Sequence, residues 1–446
     1  AALFDVAGTG GTRDRDLAGI ISTGAHALRL QVNLMGLRSG DTLWLLDAQG
    51  DAAFGPYTIE TAKEHGQWLP VTIGDAAVLA LESADDMLPL LTVLQVAHFY
   101  KPIADKQSLD PLRCNIPIAQ ETNTTAQEIS AAVGRLLVPF SNGQGLCTTT
   151  LLNSEKRTAG APTPYLISAW HCFGDDVDYD SLTVFWDYRS PNPDGSDVPD
   201  LYDCFWNMGA KLLDHSFPLD AALLQLNAQP SVGPYGRAWV GWDTAAPAQG
   251  ASVQVIHHPV GADMKTSRGR ITNDSTEVCM NMTCSQRYDM QIEVLWADGV
   301  TEQGSSGSAL IARGNNYRLA GVLSNGTTHS CTDPSNNFDN FGPFHAFFPQ
   351  IGCYLLNTYT CADAYESTSG GCFLFRKGYD PVLLDHLRTF RDHTLMKTAI
   401  GQKISIGYYA NAPLLEKWID ESSMARILFD SALSFGAIWG STGGHK

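Results

Sequence analysis

Long apolar runs, clustered basic residues and C-x-x-C cysteine pairs are all missing from this sequence of 446 residues. No apolar run reaches the ~18 residues of a membrane-spanning helix, so we expect no integral membrane segment. Charged residues make up only 17% of the chain and give a formal net charge of −18. This balance argues against a nucleic-acid partner, because such partners bind to clustered Lys and Arg.

Ten cysteines are present, and none of them forms a C-x-x-C pair. They therefore indicate disulfides rather than zinc ligands, and with them an extracytoplasmic protein that is secreted, periplasmic or on the cell surface. The first residues, AALFDVAGTGGTRD, lack a basic and then an apolar segment, so we expect any signal peptide to be absent already. His257 and His258 are adjacent on a predicted strand and point to opposite faces, so we expect no metal and no cofactor.

The residue patterns divide the chain into three domains and a linker. Residues 1–105 alternate between apolar and polar positions, which predicts an antiparallel β-sandwich. Residues 106–113 are a polar linker with a proline. Residues 114–360 carry short apolar strands between Gly, Asn and Pro turns, which is typical of paired barrels rather than βαβ units. Residues 361–446 have helical periodicity and predict a small α-helical domain, so the predicted fold is mainly β.

Three fragments of the central domain carry the residue types of nucleophilic catalysis. PYLISAWHCFG contains His171, HSFPLDAALLQLN sets Asp220 at the head of a strand, and GVTEQGSSGSAL places Ser306 in a glycine-rich turn. A serine hydroxyl becomes a good nucleophile when an imidazole accepts its proton and a buried carboxylate fixes the imidazole tautomer. The glycines would let the N–H groups of Gly304 and Ser306 form an oxyanion hole. The order His, Asp, Ser is that of barrel-type proteases and not of α/β-hydrolases.

Residues 114–353 resemble the trypsin-like serine proteases of bacteria, and most closely the lysyl endopeptidase branch. The matching stretches occur in the order of the family and are CNIPI, LCTTTLLNS, PYLISAWHCFG, VFWDY, LDAALLQL, VGWD, VIHHP, GVTEQGSSGSAL and NNFDNFGPF. The resemblance implies two six-stranded antiparallel barrels with the active site between them. It also implies an endopeptidase that acts on proteins or peptides, with His171 as general base, Asp220 as its orienting acid and Ser306 as nucleophile.

The same resemblance implies a preference for basic substrates. Asp339 matches the acid that pairs with the substrate lysine, and a carboxylate there would select Lys or Arg by charge. Ser324 borders the substrate pocket where the lysyl branch has a histidine, so the choice between Lys and Arg stays open; its hydroxyl could also bond Asp220. Ser305 stands where animal trypsins have the aspartate that binds a newly cut N-terminus, so that activating salt bridge is absent.

Two disulfides are also implied by the resemblance, namely Cys147–Cys172 and Cys114–Cys331. A third bridge of the family is missing, because Gln120 stands at one of its cysteine positions. Cys279 with Cys284 is a further hypothesis based on their short separation. The pairing of the other cysteines stays open, since sequence does not fix connectivity; these are Cys204, Cys353, Cys361 and Cys372.

The outer segments resemble parts of bacterial protease precursors. The first is similar to an N-terminal β-sandwich prodomain, and the last to a C-terminal helical module that opens with Cys-Phe-Ile, here Cys372, Phe373 and Leu374. We therefore expect both to contact the protease domain, and we consider a zymogen in which Arg113 is a processing point. Two other functions use the same residues: a catalytically silent surface or adhesion module on a protease fold, and an esterase.

Overall fold

The structure is a computed structural model. It describes residues 2–6, 15–49, 53–63, 66–84, 88–100, 111–140, 143–158, 160–174, 176–279, 287–314 and 316–357. Within these ranges, no helix is long and apolar enough to cross a membrane. The predicted helical domain at 361–446 lies outside what is described, and so does Cys284 of the Cys279–Cys284 hypothesis.

The N-terminal part folds into two antiparallel sheets. Its strands are β1 (Ala2–Val6), β2 (Arg15–Ile21), β3 (Ala27–Asn33), β4 (Thr42–Asp47), β5 (Ala53–Tyr57), β6 (Gln67–Ile73), β7 (Ala76–Glu82) and β8 (Thr92–Phe99). One sheet has the order β1-β2-β7-β4-β5, and the other has the order β6-β3-β8. Alternation explains the packing: in β4, Leu43 and Leu45 are fully buried in the shared core while Thr42 and Trp44 are partly exposed.

The next segment forms a seven-stranded antiparallel sheet. The elements along the chain are β9 (Ile116–Pro117), α1 (Thr124–Ser130), β10 (Val133–Phe140), β11 (Gly143–Leu152), β12 (Arg157–Thr158), β13 (Ala161–Pro162), β14 (Tyr165–Ser168), β15 (Thr183–Trp186), β16 (Phe205–Met208), β17 (Ala210–Ser216) and β18 (Ala221–Leu226). The sheet order is β16-β15-β10-β11-β14-β18-β17, and β12 pairs with β13 as a separate ribbon. Tyr165–Ser168 is buried along its whole length, as expected for a strand covered on both faces.

A second seven-stranded sheet follows. Its further elements are β19 (Ser252–His257), β20 (Lys265–Cys279), β21 (Arg287–Asp298), β22 (Ala309–Ala312), β23 (Arg318–Gly326), β24 (Phe338–Pro343) and α2 (Phe344–Leu355). The order is β19-β22-β23-β24-β21-β20-β9, and β19 also pairs with β20. That pairing closes six strands into a barrel and leaves the two-residue β9 on the outside.

The structure thus departs from six strands per sheet by one added strand in each. In the first sheet, β16 pairs onto the outer side of β15. In the second, Ile116 and Pro117 pair with Thr266 and Lys265, just after Cys114 is fixed by its disulfide to Cys331. Each added strand extends a sheet at its margin.

One buried arginine links the N-terminal sheets to the first seven-stranded sheet. Arg29 on β3 has no exposed surface. Its Nε donates to the carbonyl of Leu69 at 2.7 Å, and its two terminal nitrogens donate to Gln144 Oε1 at 3.0 Å and to the carbonyl of Ser181 at 2.5 Å. Burial lowers the pKa of Arg29 to about 10, and the charge of Asp178 opposes this decrease.

The outer strand β16 faces the same N-terminal sheets. The ring of Trp206 on β16 meets Phe54 on β5 edge to face, with ring centroids 5.9 Å apart and an interplanar angle of 71°. Lys63 forms a more exposed ion pair with Asp180 at 2.9 Å. The contact therefore combines a buried hydrogen-bonded cation, an aromatic pair and a surface salt bridge.

Two disulfides lie within the described residues. Cys147–Cys172 joins β11 to the turn after β14, and Cys114–Cys331 joins the segment before β9 to the loop before β24. Cys204 is a buried thiol, and burial raises its pKa to about 12. A thiol in this protonated form is a weak nucleophile and a weak metal ligand.

Candidate active site

His171 stands on a turn that is held from both sides. A short 3₁₀ helix, Trp170–Cys172, follows directly after β14, and Cys172 is disulfide-bonded to Cys147 on β11. Trp170 stacks on His215 with ring centroids 3.8 Å apart. The side chain of His171 keeps 32% of its surface exposed, so a rigid turn presents it to solvent.

Asp220 is fully buried beneath His171. Its Oδ1 accepts from the backbone N–H of His171 at 2.8 Å, and its Oδ2 lies 2.7 Å from Nδ1 of the same residue. The Ser324 hydroxyl donates to Oδ2 at 2.6 Å. Because a carboxylate only accepts, Nδ1 carries the hydrogen and Nε2 is free to accept a proton. The structure therefore brings His171, Asp220 and Ser324 together.

The charge on Asp220 affects the basicity of this imidazole. Burial lowers the pKa of His171, but the hydrogen bond to Asp220 and its negative charge outweigh burial and raise the pKa above the ordinary value of 6.5. Asp220 has a left-handed backbone with φ 51°, a conformation that Asp and Asn tolerate better than other non-glycine residues. This backbone turn directs the carboxylate beneath the histidine, at the start of β18.

Ser306 lies between two left-handed residues, Gly304 with φ 91° and Gly307 with φ 83°. The Thr148 side chain donates to the Gly304 carbonyl at 2.9 Å, and the Thr148 N–H donates to the Ser306 carbonyl at 2.8 Å. The N–H of Gly307 donates to Leu323, the neighbour of Ser324. These bonds attach the serine turn to two strands. One is β11, whose Cys147 is disulfide-bonded to Cys172, and the other is β23, whose Ser324 donates to Asp220.

Two backbone N–H groups of this turn are directed away from the protein acceptors around them. The carbonyl of Gln303 accepts from Val260, and that of Ser305 accepts from Ser308. In a trans peptide the N–H points opposite to the preceding carbonyl, so the N–H groups of Gly304 and Ser306 point the other way. Neither N–H donates to a protein acceptor in the part of the chain that the structure describes. Both remain available to a ligand oxygen.

A buried histidine supports the turn from below. His257 Nδ1 lies 2.7 Å from the Ser305 hydroxyl, and its Nε2 lies 3.1 Å from the Ser267 hydroxyl. Ser267 donates to the Val300 carbonyl, so it accepts from Nε2–H, and Ser305 donates to Nδ1. Burial lowers the pKa of His257 to about 3, which keeps the ring neutral. A chain of hydrogen bonds therefore runs from the Val300 carbonyl through Ser267 and His257 to the Ser305 hydroxyl.

Asp339 on β24 is also fully buried. Its Oδ2 accepts from the indole N–H of Trp296 and from the Thr301 hydroxyl, the latter at 2.6 Å. Its Oδ1 lies 3.0 Å from Nε2 of His329. Gly326 lies against the carboxylate, since a Cβ there would be 1.7 Å from Oδ1. The acid therefore lies among polar groups that include a histidine.

The sequence did not predict the roles of five side chains at the site. Thr148 and His257 bond to the serine turn. The other three contact Asp339, namely Trp296, Thr301 and His329. Two weak signals were present. Thr301 lies in the same fragment as Ser306, and His329 lies two residues before Cys331. Neither signal predicts which side chain contacts Asp339, because that depends on pairing between distant strands.

His258 does not share the partners of His257. Its Nδ1 lies 2.9 Å from the Ala262 carbonyl oxygen.

The two antiparallel sheets and the hydrogen-bonded His171–Asp220 pair, together with the family match, define the class: this is a trypsin-like serine endopeptidase. A family model described as "Lysyl endopeptidase, C-terminal domain" matches residues 110–342, just over half of the chain. The chain belongs to the lysyl endopeptidase family.

Two comparisons with individual proteins accompany the family match. A lysyl endopeptidase of Pseudomonas aeruginosa PAO1 is 27% identical over 355 residues, which cover 75% of this chain and 74% of that protein. Among solved structures, the Rv3671c protease of M. tuberculosis in its active form is 14% identical with a TM-score of 0.36, covering 58% of this chain and 93% of that chain. Its inactive form gives a TM-score of 0.34 at the same identity, covering 52% and 92%.

Proposed function

We propose that this protein is a secreted serine endopeptidase that cleaves peptide bonds after Lys or Arg, with Ser306, His171 and Asp220 as the catalytic triad. The observation that carries the proposal is the 2.7 Å contact between His171 Nδ1 and the fully buried Asp220. A buried carboxylate in this position fixes the tautomer of a general base.

The mechanism follows from these contacts. Ser306 Oγ attacks the substrate carbonyl carbon while His171 Nε2 takes the hydroxyl proton. Asp220 stabilises the resulting imidazolium, and the N–H groups of Gly304 and Ser306 stabilise the oxyanion. Nε2–H then protonates the leaving amine as the C–N bond breaks, which leaves the acyl-enzyme. Water, deprotonated by His171, hydrolyses the ester and restores the Ser306 hydroxyl.

Asp339 is proposed as the acid that binds the basic substrate side chain. Its position in the sequence matches the family motif, and its neighbour Gly326 leaves the carboxylate without an overlying side chain. Ser324, which donates to Asp220, is proposed to border the same substrate pocket. Charge attraction in a desolvated site would favour Lys and Arg over neutral side chains.

Secretion and latency are part of the same proposal. The two disulfides suit an oxidising compartment. Arg113 is exposed and immediately precedes Cys114, while the N–H of Leu112 donates to Glu302 in the serine loop at 2.9 Å. A cut after Arg113 would remove the Leu112 contact, so processing there would act on the loop that holds Ser306. The N-terminal sheets, bonded through Arg29, would be released or retained as a bound prodomain.

Hydrolysis of matched Lys- and Arg-amide peptides tests this function, with an ester of the same acyl group as a third substrate. Ser306→Ala is the control for the nucleophile, and brief nicking with trypsin tests latency. We expect amide turnover that Ser306→Ala abolishes. Turnover only after nicking would indicate a zymogen, and ester cleavage without amide cleavage would indicate an esterase. No turnover by a folded, nicked protein would favour the silent binding module and refute the proposal.

A further inference from the structure

The carboxylate proposed to bind a basic substrate side chain has a titratable histidine beside it. His329 Nε2 lies 3.0 Å from Asp339 Oδ1, and His329 Nδ1 lies 2.6 Å from the Thr301 carbonyl oxygen. Nδ1 donates to the Thr301 carbonyl, and a protonated Nε2 would form an ion pair with the Asp339 carboxylate at this distance. The two side chains are therefore a pair of opposite charges when His329 is an imidazolium, and a single buried negative charge when it is neutral.

We propose that His329 is an internal counter-ion of Asp339 that a basic substrate side chain must replace, so that discrimination in favour of basic side chains grows as His329 loses its proton. This inference rests on the role proposed above for Asp339. His329 is thereby a specificity-determining residue, and it takes no part in bond cleavage.

The physical basis is competition between two cations for one buried carboxylate. The His329 side chain is only 6% exposed and Asp339 is not exposed at all, so water screens their interaction weakly. An ammonium or guanidinium group that approaches the same carboxylate meets the repulsion of the imidazolium. Once the imidazole is neutral, the charge on Asp339 is uncompensated and attracts the incoming cation.

The groups around His329 favour its protonation. Burial lowers the pKa of His329, but the hydrogen bond and charge of Asp339 and the carbonyls of Thr301 and Phe338 outweigh burial and raise the pKa above 6.5. Among the described residues, His257 on β19 interacts electrostatically with His329, and burial lowers the pKa of His257 to about 3, which keeps its ring neutral. Lys265 acts on His257 and is itself paired with Asp263 at 2.7 Å.

The sign of the pH effect follows from this raised pKa. Below it, the imidazolium neutralises Asp339 and the enzyme distinguishes basic from neutral side chains poorly. Above it, discrimination increases. A Lys side chain stays protonated throughout this window, because its own pKa is near 10.4. A change in discrimination within this pH range therefore reflects the protonation of His329 and not that of the substrate lysine.

The experiment measures the ratio of kcat/KM for a Lys reporter to that for an isosteric norleucine reporter, from about pH 5 to about pH 9. His171 titrates equally with both substrates and cancels in the ratio. We expect the wild-type ratio to rise about tenfold, which corresponds to one pKa unit of coupling. His329→Gln keeps a neutral donor, so its ratio should be flat and high at acidic pH. His98→Gln is the matched control, since His98 is an exposed histidine bonded to Ser22.

A second readout does not require catalysis. Benzamidine is a small cation, and calorimetry in buffers of different ionisation enthalpy counts the protons released when it binds to Ser306→Ala. We expect release of up to one proton near the pKa of His329, and none in the double variant with His329→Gln. A flat wild-type ratio together with no proton release would overturn the inference.

The two proposals fail in different ways. If no peptide is cleaved but benzamidine binding still releases a proton, the proposed protease function fails and the counter-ion role stands. If peptides are cleaved with a pH-independent ratio, the function stands and the counter-ion role is refuted. Absence of both cleavage and benzamidine binding counts against both.

Discussion

Replacing Asp220 by Asn tests the triad with the least disturbance of the backbone. Asp220 has φ 51°, and Asn is the other non-glycine residue that enters this left-handed region readily. Alanine would add backbone strain and a cavity to the chemical change. Asn has nearly the same shape, so its effect reports the loss of a buried negative charge.

The size of the expected loss in kcat follows from the three hydrogen bonds that the Asp220 carboxylate accepts. Asn can keep its oxygen on the His171 N–H, but its NH₂ group then faces Nδ1 of His171 and the Ser324 hydroxyl. Nδ1 must accept, which places the imidazole hydrogen on Nε2 and prevents that nitrogen from acting as a base. We expect kcat to fall about 10⁴-fold, or about 5.5 kcal/mol of barrier.

The assay is kcat for the Lys reporter across pH, with thermal unfolding as a check on folding. In the wild type, activity should be lost as pH falls through the raised pKa of His171, because the base must be neutral. In Asp220→Asn the charge that raises this pKa is gone, so the remaining activity should extend to lower pH. Ser324→Ala removes only one hydroxyl donor and should cost about tenfold. A folded Asp220→Asn enzyme within tenfold of wild type would refute this account.

Two further predictions concern stability. Arg29→Met leaves two buried carbonyls without their donor and should lower the free energy of unfolding by about 2–4 kcal/mol in denaturant titration, whereas Lys63→Ala breaks an exposed ion pair and should cost less than ~1 kcal/mol. Equal losses in these two variants would contradict the burial argument. Gly307→Ala should abolish activity and lower the melting temperature, since its Cβ would lie 2.0 Å from a serine hydroxyl at φ 83°. Gly314→Ala, with open space around it, should change neither.

The sequence predicts the strands well because alternation is a local property. The alternating burial of β4 and the continuous burial of β14 agree with the residue patterns of these strands. The fragments that carry His171, Asp220 and Ser306 are likewise short, and their order is visible without a structure. The side chains around them are different: the contacts of Ser305 with His257 and of Asp339 with His329 join strands far apart in the chain. No periodicity encodes such contacts, because they depend on sheet register and on the closure of the barrel.

The outer strand β16 has a consequence for how the protein avoids association with itself. Its free side and its aromatic residues Phe205 and Trp206, 40% and 36% exposed, make an open sheet margin of the kind that recruits strands from other chains. Phe54 of the N-terminal sheets covers part of this margin. Loss of the N-terminal sheets would uncover this margin, so we expect a protein without them to associate through β16 more readily.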